Sequence, residues 1–386
     1  MAIYDKQLEA VWYHTRTMLK RVSIQNFKSL KDVTLDLQKV NLLIGPNNSG
    51  KTNFLKALEF FDYAVLGDSF TAEQRSRDFR FMRSADFLSI GLAFQRQDEE
   101  LLFLREIVFS NTQPGVIDTK SSQLITKDGI EIAKNDQGYL DNPFLRRQLS
   151  SLRIYRPDPN KLTQPGPVGT GAEMVSADAS NLIGFLDRML GNKYRKSVFN
   201  RIETDLQTCV PEFDEINIDD ESPTEELKRL FPNNSFKRLG LTNSKQDITY
   251  WADELSEGTL YFLALLCIIN QPNPPKLLLL EEPEKGIHPR RIFEVIQFIF
   301  RLAEEKDIQV ILTTHSPLVV DMFKDMPESV FIFDKDDEGA TRVKNLQRDV
   351  IEPETVKSEE LGIEPPHYTD SLGDAWTVGF LGGVPK

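Results

Sequence analysis

Residues 42–58 read LLIGPNNSGKTNFLKAL, and the reading of the chain starts there. Gly45, Pro46, Asn47, Asn48, Ser49, Gly50, Lys51 and Thr52 fit the pattern G-x-x-x-x-G-K-[ST] without a mismatch. The apolar run Leu42, Leu43, Ile44 reads as a buried strand, and Asn53 to Leu58 have helical composition. Strand, glycine loop and helix in that order are the context the pattern needs. Small residues let backbone N–H groups turn toward phosphate oxygens, and the helix N-terminus adds partial positive charge. The pattern assigns Lys51 to the β- and γ-phosphates of a nucleotide and the Thr52 hydroxyl to Mg²⁺.

The chain of 386 residues suffices for one large domain or two moderate ones, and 40% hydrophobic content supports a core. Forty-six basic against 59 acidic residues give a net charge of −13, which argues against a general nucleic-acid-coating role. A local basic patch still leaves contact with DNA open. No apolar run reaches the roughly 18 residues of a membrane span. The N-terminus lacks an apolar signal core, and two cysteines, Cys209 and Cys267, sit outside metal-ligand spacing. These features point to a cytoplasmic protein without a membrane partner.

Residues 1–18 stand apart from KRVSIQNFKSLKDVTLDL, which reads as two strands around a turn. DFLSIGLAFQRQ and ELLFLREIVFSN alternate as strands. Residues 113–140 read as short polar strands and turns. SLRIYRPDP is a strand closed by prolines, and residues 181–210 are helical with a break at Gly191. The acidic stretch EFDEINIDDESPTEE reads as a solvated loop. In the last third, KLLLLEEP, IQVILTTHSP and SVFIFDKD are buried strands. PRRIFEVIQFIFRLAEEK is a helix with Pro289 in its first turn and a stripe of Ile292, Val295, Ile296, Ile299 and Leu302. Strands alternating with helices predict an α/β fold with a mostly parallel sheet.

Three further motifs carry chemistry. Glu281 and Glu282 end an apolar strand, where Glu281 is placed to hold Mg²⁺ and Glu282 to activate water. His315, in TTHSP, ends the next strand and is placed to sense a γ-phosphate. A structural histidine is the plainer alternative. In LSEG, Ser256, Glu257 and Gly258 open an apolar helix and offer a hydroxyl and backbone N–H groups to an anion. Ser256 is equally suited to a plain helix cap.

The order GPNNSGKT, LSEGT, LLLLEEP, TTHS resembles an ABC-type ATPase head of the SMC/RecF class, and EEPEKGIHP resembles its OLD-like branch. The resemblance runs from about residue 19 to 335. It implies an α/β ABC ATPase head: a mostly parallel sheet around the P-loop, an antiparallel β subdomain and a compact helical lobe. The segments expected are an N-terminal extension (1–18), a first ATPase part (19–112) and an inserted lobe (113–250). A second ATPase part (251–346) and a tail (347–386) follow. ATP with Mg²⁺ is the implied cofactor pair. Gly45 to Asn53, Ser256, Glu257 and Gly258 are the implied ATP contacts, Thr52 and Glu281 the metal ligands, Glu282 and His315 the catalytic residues. Glu284 to Pro289 match the D-loop. The family also places a glutamine between metal and lobe, for which Gln95, Gln148 and Gln164 are candidates.

In this family the signature of one head completes the nucleotide site of another. The resemblance therefore implies a homodimer, or a higher assembly of it, with ATP between the copies. The interval from Lys51 to Ser256 is too short for SMC-type arms, and the residues after His315 are too few for a fused Toprim nuclease. The Gly-rich ending DSLGDAWTVGFLGGVPK reads as a docking tail. Compact heads of this kind resemble ATPase subunits of anti-phage systems, in which a neighbouring gene supplies a nuclease or toxin effector. The alternative is a RecF-like repair ATPase acting on DNA, with Arg146, Arg147, Arg153, Arg156, Lys161, Lys193, Arg195, Lys196 and Arg201 as candidate phosphate contacts.

Overall fold

The computed structural model describes residues 17–66, 85–96, 99–109, 117–126, 129–133, 148–149, 152–169 and 173–382. The expected N-terminal extension therefore lies almost wholly outside the described residues. The chain divides into two compact units, Met1–Arg147 with Glu305–Lys386, and Gln148–Glu304.

The first unit opens with β1 (Thr17–Phe27), β2 (Leu30–Asp36), β3 (Val40–Ile44) and α1 (Lys51–Leu66). Next come β4 (Phe87–Arg96), β5 (Glu99–Phe109), β6 (Ile117–Thr126) and β7 (Gly129–Ala133). Strands β2-β1-β4-β5-β6-β7 form an antiparallel sheet in that order. Period-two patterning drives it: Val22 and Ile24 of β1, and Leu88, Ile90 and Leu92 of β4, are buried. Pairing runs through β6 and β7, so the sheet continues past residue 112, where the sequence pattern suggests the start of an inserted lobe.

The second unit contains β8 (Ile154–Tyr155), α2 (Pro159–Leu162), β9 (Gly166–Val168), α3 (Leu182–Gly191) and α4 (Lys196–Cys209). It continues with β10 (Glu215–Asp220), α5 (Glu225–Leu230), β11 (Ser235–Asn243) and β12 (Ile248–Trp251). Helix α6 (Glu257–Asn270), β13 (Leu277–Glu281) and α7 (Pro289–Glu305) complete it. Strands β9, β10 and β12 pair antiparallel with β11, and β8 pairs parallel with β13. The helical stretch 181–210 does break after Gly191. The acidic stretch is corrected: instead of a solvated loop it forms edge strand β10 and the start of α5. Ile216 is its buried anchor, and Arg238 offsets Asp219 and Glu221. Helix α6 is buried from Gly258 to Asn270, all round its circumference. Helix α7 buries the expected stripe together with Phe298, whose ring meets Phe262 of α6 edge-on at 4.9 Å.

The first unit resumes with β14 (Gln309–Thr313), α8 (Pro317–Asp321), β15 (Val330–Lys335) and β16 (Thr341–Asn345). Helices α9 (Glu352–Leu361) and α10 (Leu372–Thr377) follow. Here β3 pairs parallel with both β14 and β15, and β16 closes antiparallel on β15. Leu42, Leu43 and Ile44 are fully buried, as continuous apolar strands of a covered parallel sheet must be. Helix α1 buries Phe54, Leu55, Ala57 and Leu58. Each large apolar side chain so buried contributes about 1.5–3 kcal/mol.

Candidate nucleotide site

In the first unit, β3, β14 and β15 are parallel, so their carboxyl ends share one edge of the sheet. Loop 45–50, the His315 turn and Asp334 all leave from that edge, where open α/β sheets place their ligands. The loop between β3 and α1 lies pressed against strands from the far end of the chain. A Cβ on Gly45 would stand 2.2 Å from the Phe333 carbonyl oxygen, and one on Gly50 2.2 Å from the Thr341 hydroxyl oxygen. Both residues adopt positive φ, +140° and +113°. Glycine is therefore required at both positions twice over, by space and by backbone conformation.

Lys51 is 6% exposed, and its ammonium donates to Gly45 O at 2.7 Å and Pro46 O at 3.0 Å. Its charge is held inside the loop by the loop's own carbonyls. Ser49 is buried, and its hydroxyl has no hydrogen-bond partner among the described residues. An orphaned buried hydroxyl, a buried ammonium and a loop that excludes Cβ atoms, at the start of a 16-residue helix with no acid in its first turn, suit an oxyanion. Asn47 and Asn48 are exposed at the loop's outer turn, and Thr52 is half-buried at the second position of α1.

Asn53 does something the motif does not suggest. Its amide donates to Ser29 Oγ at 2.9 Å, Ser29 shares a hydrogen bond with Thr341 Oγ1 at 2.8 Å, and Thr341 donates to Ser49 O at 2.8 Å. This network supports the loop from behind. Ser29 and Thr341 carry no local signal in the sequence, because the pairing joins residues 312 positions apart.

At the end of β14 and just beyond it, Thr313 and Thr314 are buried and His315 is exposed. Thr314 N donates to Leu43 O at 3.3 Å, and Thr314 Oγ1 accepts from Ser316 N at 3.0 Å. The turn that presents His315 is thereby tied to the strand before the glycine loop.

In the second unit, Ser256 caps α6, its hydroxyl accepting from Thr259 N at 3.1 Å. Ser256 and Glu257 are exposed, while Gly258 is buried. A Cβ on Gly258 would meet Arg291 at an ordinary 3.7 Å, so packing does not demand the glycine. Ser256 borders a hollow of about 360 Å³ whose walls include Phe213, Tyr250 and Arg291.

Glu281 ends β13 with its side chain 10% exposed and forms an ion pair with Arg156. The register explains the pair: Leu280 lies beside Tyr155, so the next residues of β13 and β8 meet. Of the candidate glutamines in this unit, Gln148 lies on the helical turn at 148–149 and Gln164 on the exposed turn after α2; Gln95 belongs to β4. The side chain the unit sets against Glu281 is Arg156. Glu282 has φ +48°, uncommon for a non-glycine residue, and its carbonyl accepts from Lys285 N at 2.9 Å. The Lys285 ammonium lies 3.7 Å from its carboxylate. Farther along, Tyr261 is buried with no hydrogen-bond partner for its hydroxyl among the described residues. Burial, reinforced by the Glu284 charge, pushes its pKa far above the ordinary range.

Four of the nine candidate phosphate-binding cations meet an acceptor within the second unit. Arg156 pairs with Glu281, Lys161 with Asp178 at 2.6 Å, and Arg195 with Glu173. Arg201 donates to Asn270 O at 3.4 Å, and Lys193 and Lys196 are exposed. Arg146 and Arg147 lie outside the described residues. Among the described residues no three or more His, Cys, Asp or Glu cluster as a ready metal site, and no helix is long and apolar enough to cross a membrane.

Comparisons with known proteins fit this arrangement. Residues 18–156 match the family described as "AAA ATPase domain", and residues 180–321 match "AAA domain, putative AbiEii toxin, Type IV TA system". The chain is 24% identical to the ATP/GTP phosphatase of Helicobacter pylori, over 89% of this chain and 97% of that protein. It is 23% identical to the Old nuclease of Escherichia phage P2, over 77% of this chain and 56% of that protein. The chain thus spans little more than half the nuclease's length. In structure it is similar to the Smc head domain with coiled coil and joint from Pyrococcus yayanosii. That likeness has a TM-score of 0.51 at 11% identity, over 88% of this chain and all of that one, and it concerns the fold alone. By its motifs and these matches, the chain is similar to the ATPase class of SMC heads, RecF and OLD-like proteins.

Proposed function

We propose that this protein is an ATP-hydrolysing switch subunit that pairs head-to-tail with a second copy around ATP and governs a partner effector, a nuclease or toxin, in anti-phage defence. The observation that carries the nucleotide part is the cradle: a buried lysine, an orphaned buried serine hydroxyl and two obligatory glycines at one helix N-terminus. In this reading residues 45–53 form the cradle, with Asn53 acting through Ser29, and His315 reports the γ-phosphate. Thr52 and Glu281 would hold Mg²⁺, which supplies charge neutralisation between the phosphates. Glu282 serves as base, its unusual backbone conformation fixed by the turn to Lys285.

Exposure supports the pairing of two copies. Ser256 and Glu257 offer a capped, exposed helix end, while a cradle alone leaves one side of a γ-phosphate in water. Packing one against the other excludes that water. Release after hydrolysis makes the pair a switch. The family match that names a toxin system, and the likeness to a phage nuclease, support the effector reading.

Glu282→Gln is expected to accumulate an ATP-bound dimer in size-exclusion chromatography with light scattering, and Ser256→Arg to prevent it. Both variants remaining monomeric with ATP and hydrolysing it at wild-type rate would overturn the proposal. A RecF-like role on DNA is the second reading, favoured by 30% identity over 139 residues to a RecF protein of Psychromonas ingrahamii. It requires DNA-stimulated hydrolysis that falls steeply with salt.

A further inference from the structure

We propose that α10 is a clamp on the His315 turn, with Asp321 and Gly373 as positioning residues. The inference rests on reading His315 as the γ-phosphate sensor.

His315 stands two residues before Pro317, the first residue of α8. A five-residue helix has almost no stability of its own, so the position of this turn is set by what packs on it. Helix α10 does so. Gly373 N donates to Asp321 Oδ1 at 2.7 Å, across 52 positions of sequence. The approach is close: a Cβ on Gly373 would stand 2.4 Å from Pro317 O and 2.9 Å from Asp321 Oδ2. Val319 and Val320 of α8 and Leu372 of α10 are fully buried, with Trp376 and Leu381 nearly so. The residue types explain the seat. Glycine at 373 lets two helix backbones touch, and the Asp321 carboxylate accepts a backbone N–H from the first turn of α10.

A rigid contact at Pro317 leaves His315 little freedom. Movement of the histidine toward or away from a phosphate carries Pro317 with it, and then either α10 follows or the Gly373–Asp321 bond breaks. The clamp thus links occupation of the cradle to the order of the segment after residue 371.

The test uses the full chain and three variants. Asp321→Ala removes the acceptor, Asp321→Asn keeps a carbonyl oxygen in its place, and Gly373→Ala forces the helices apart. We expect Asp321→Ala and Gly373→Ala to lower kcat about 5-fold or more with KM for ATP unchanged, and Asp321→Asn to restore it. In the wild type, hydrogen exchange of residues 372–382 is expected to slow when a non-hydrolysable ATP analogue binds, and not in Asp321→Ala. If the analogue protects residues 45–52 but leaves 372–382 unchanged, or if Asp321→Ala matches Asp321→Asn, the clamp is refuted and the nucleotide reading stands. If residues 45–52 gain no protection either, the nucleotide reading fails and the clamp falls with it.

Discussion

The Thr341 hydroxyl donates to the carbonyl oxygen of Ser49 at 2.8 Å, joining residues 292 positions apart in the chain. The glycine loop is therefore held by β16, a strand from the later segment of the first unit. Thr341→Val keeps the shape and removes the bond. The expected cost is about 1 kcal/mol of stability, with a weakening of ATP affinity larger than that loss alone explains. Urea unfolding and nucleotide titration check the two quantities separately, and equal small losses in both would leave the network without a functional part.

Gly50→Ala is a harsher change at the same contact, since it meets Thr341 at 2.2 Å in a conformation alanine rarely adopts. Loss of nucleotide binding with retained folding is expected. Lys51→Met should likewise weaken ATP binding ~100-fold or more, with far-ultraviolet circular dichroism unchanged. Normal binding of a fluorescent ATP analogue by Lys51→Met would remove the lysine from the site.

Much of the fold and the candidate site is legible in the sequence alone. The glycine spacing, the apolar strands ending in Glu281 and His315, and the Ser256 cap are local patterns, and local patterns survive folding. What escapes such a reading is long-range or two-sided. Arg156 reads as one of several free cations, yet the parallel register of a two-residue strand turns it onto Glu281. The stretch from Glu212 to Glu226 reads as solvated because its acids hide the buried Ile216 of an edge strand. Asn53 reads as a nucleotide contact, but a serine tied to a distant threonine takes its amide.

Arg156→Gln leaves a nearly buried Glu281 carboxylate without its guanidinium. Because Arg156 is itself half-exposed, the expected loss is moderate, about 2 kcal/mol. Double-mutant analysis with Glu281→Gln checks it: the two changes should be far from additive. Additive losses would show that the pair does not couple.

Asp178 provides a pH signature for the second unit. Burial opposes its ionisation, but hydrogen bonds from Lys161, Ser180 and Ser176 outweigh burial and hold its pKa well below the ordinary 3.8. A depressed carboxylate contributes stability that is fully present above its unfolded value and lost as pH falls below it. The wild type should lose thermal stability on acidification below about pH 4 more steeply than Asp178→Asn. Parallel melting curves for the two proteins would rule this out.

The central claim of the proposal is that two copies of the chain together complete one nucleotide site. A structure of the protein with Mg²⁺ and a non-hydrolysable ATP analogue decides it. The expected result is a two-fold pair in which the Ser256 helix end of each copy faces the triphosphate held by Lys51 of the other. A bound nucleotide with no Ser256 helix end near it, in a chain that stays single, would contradict it.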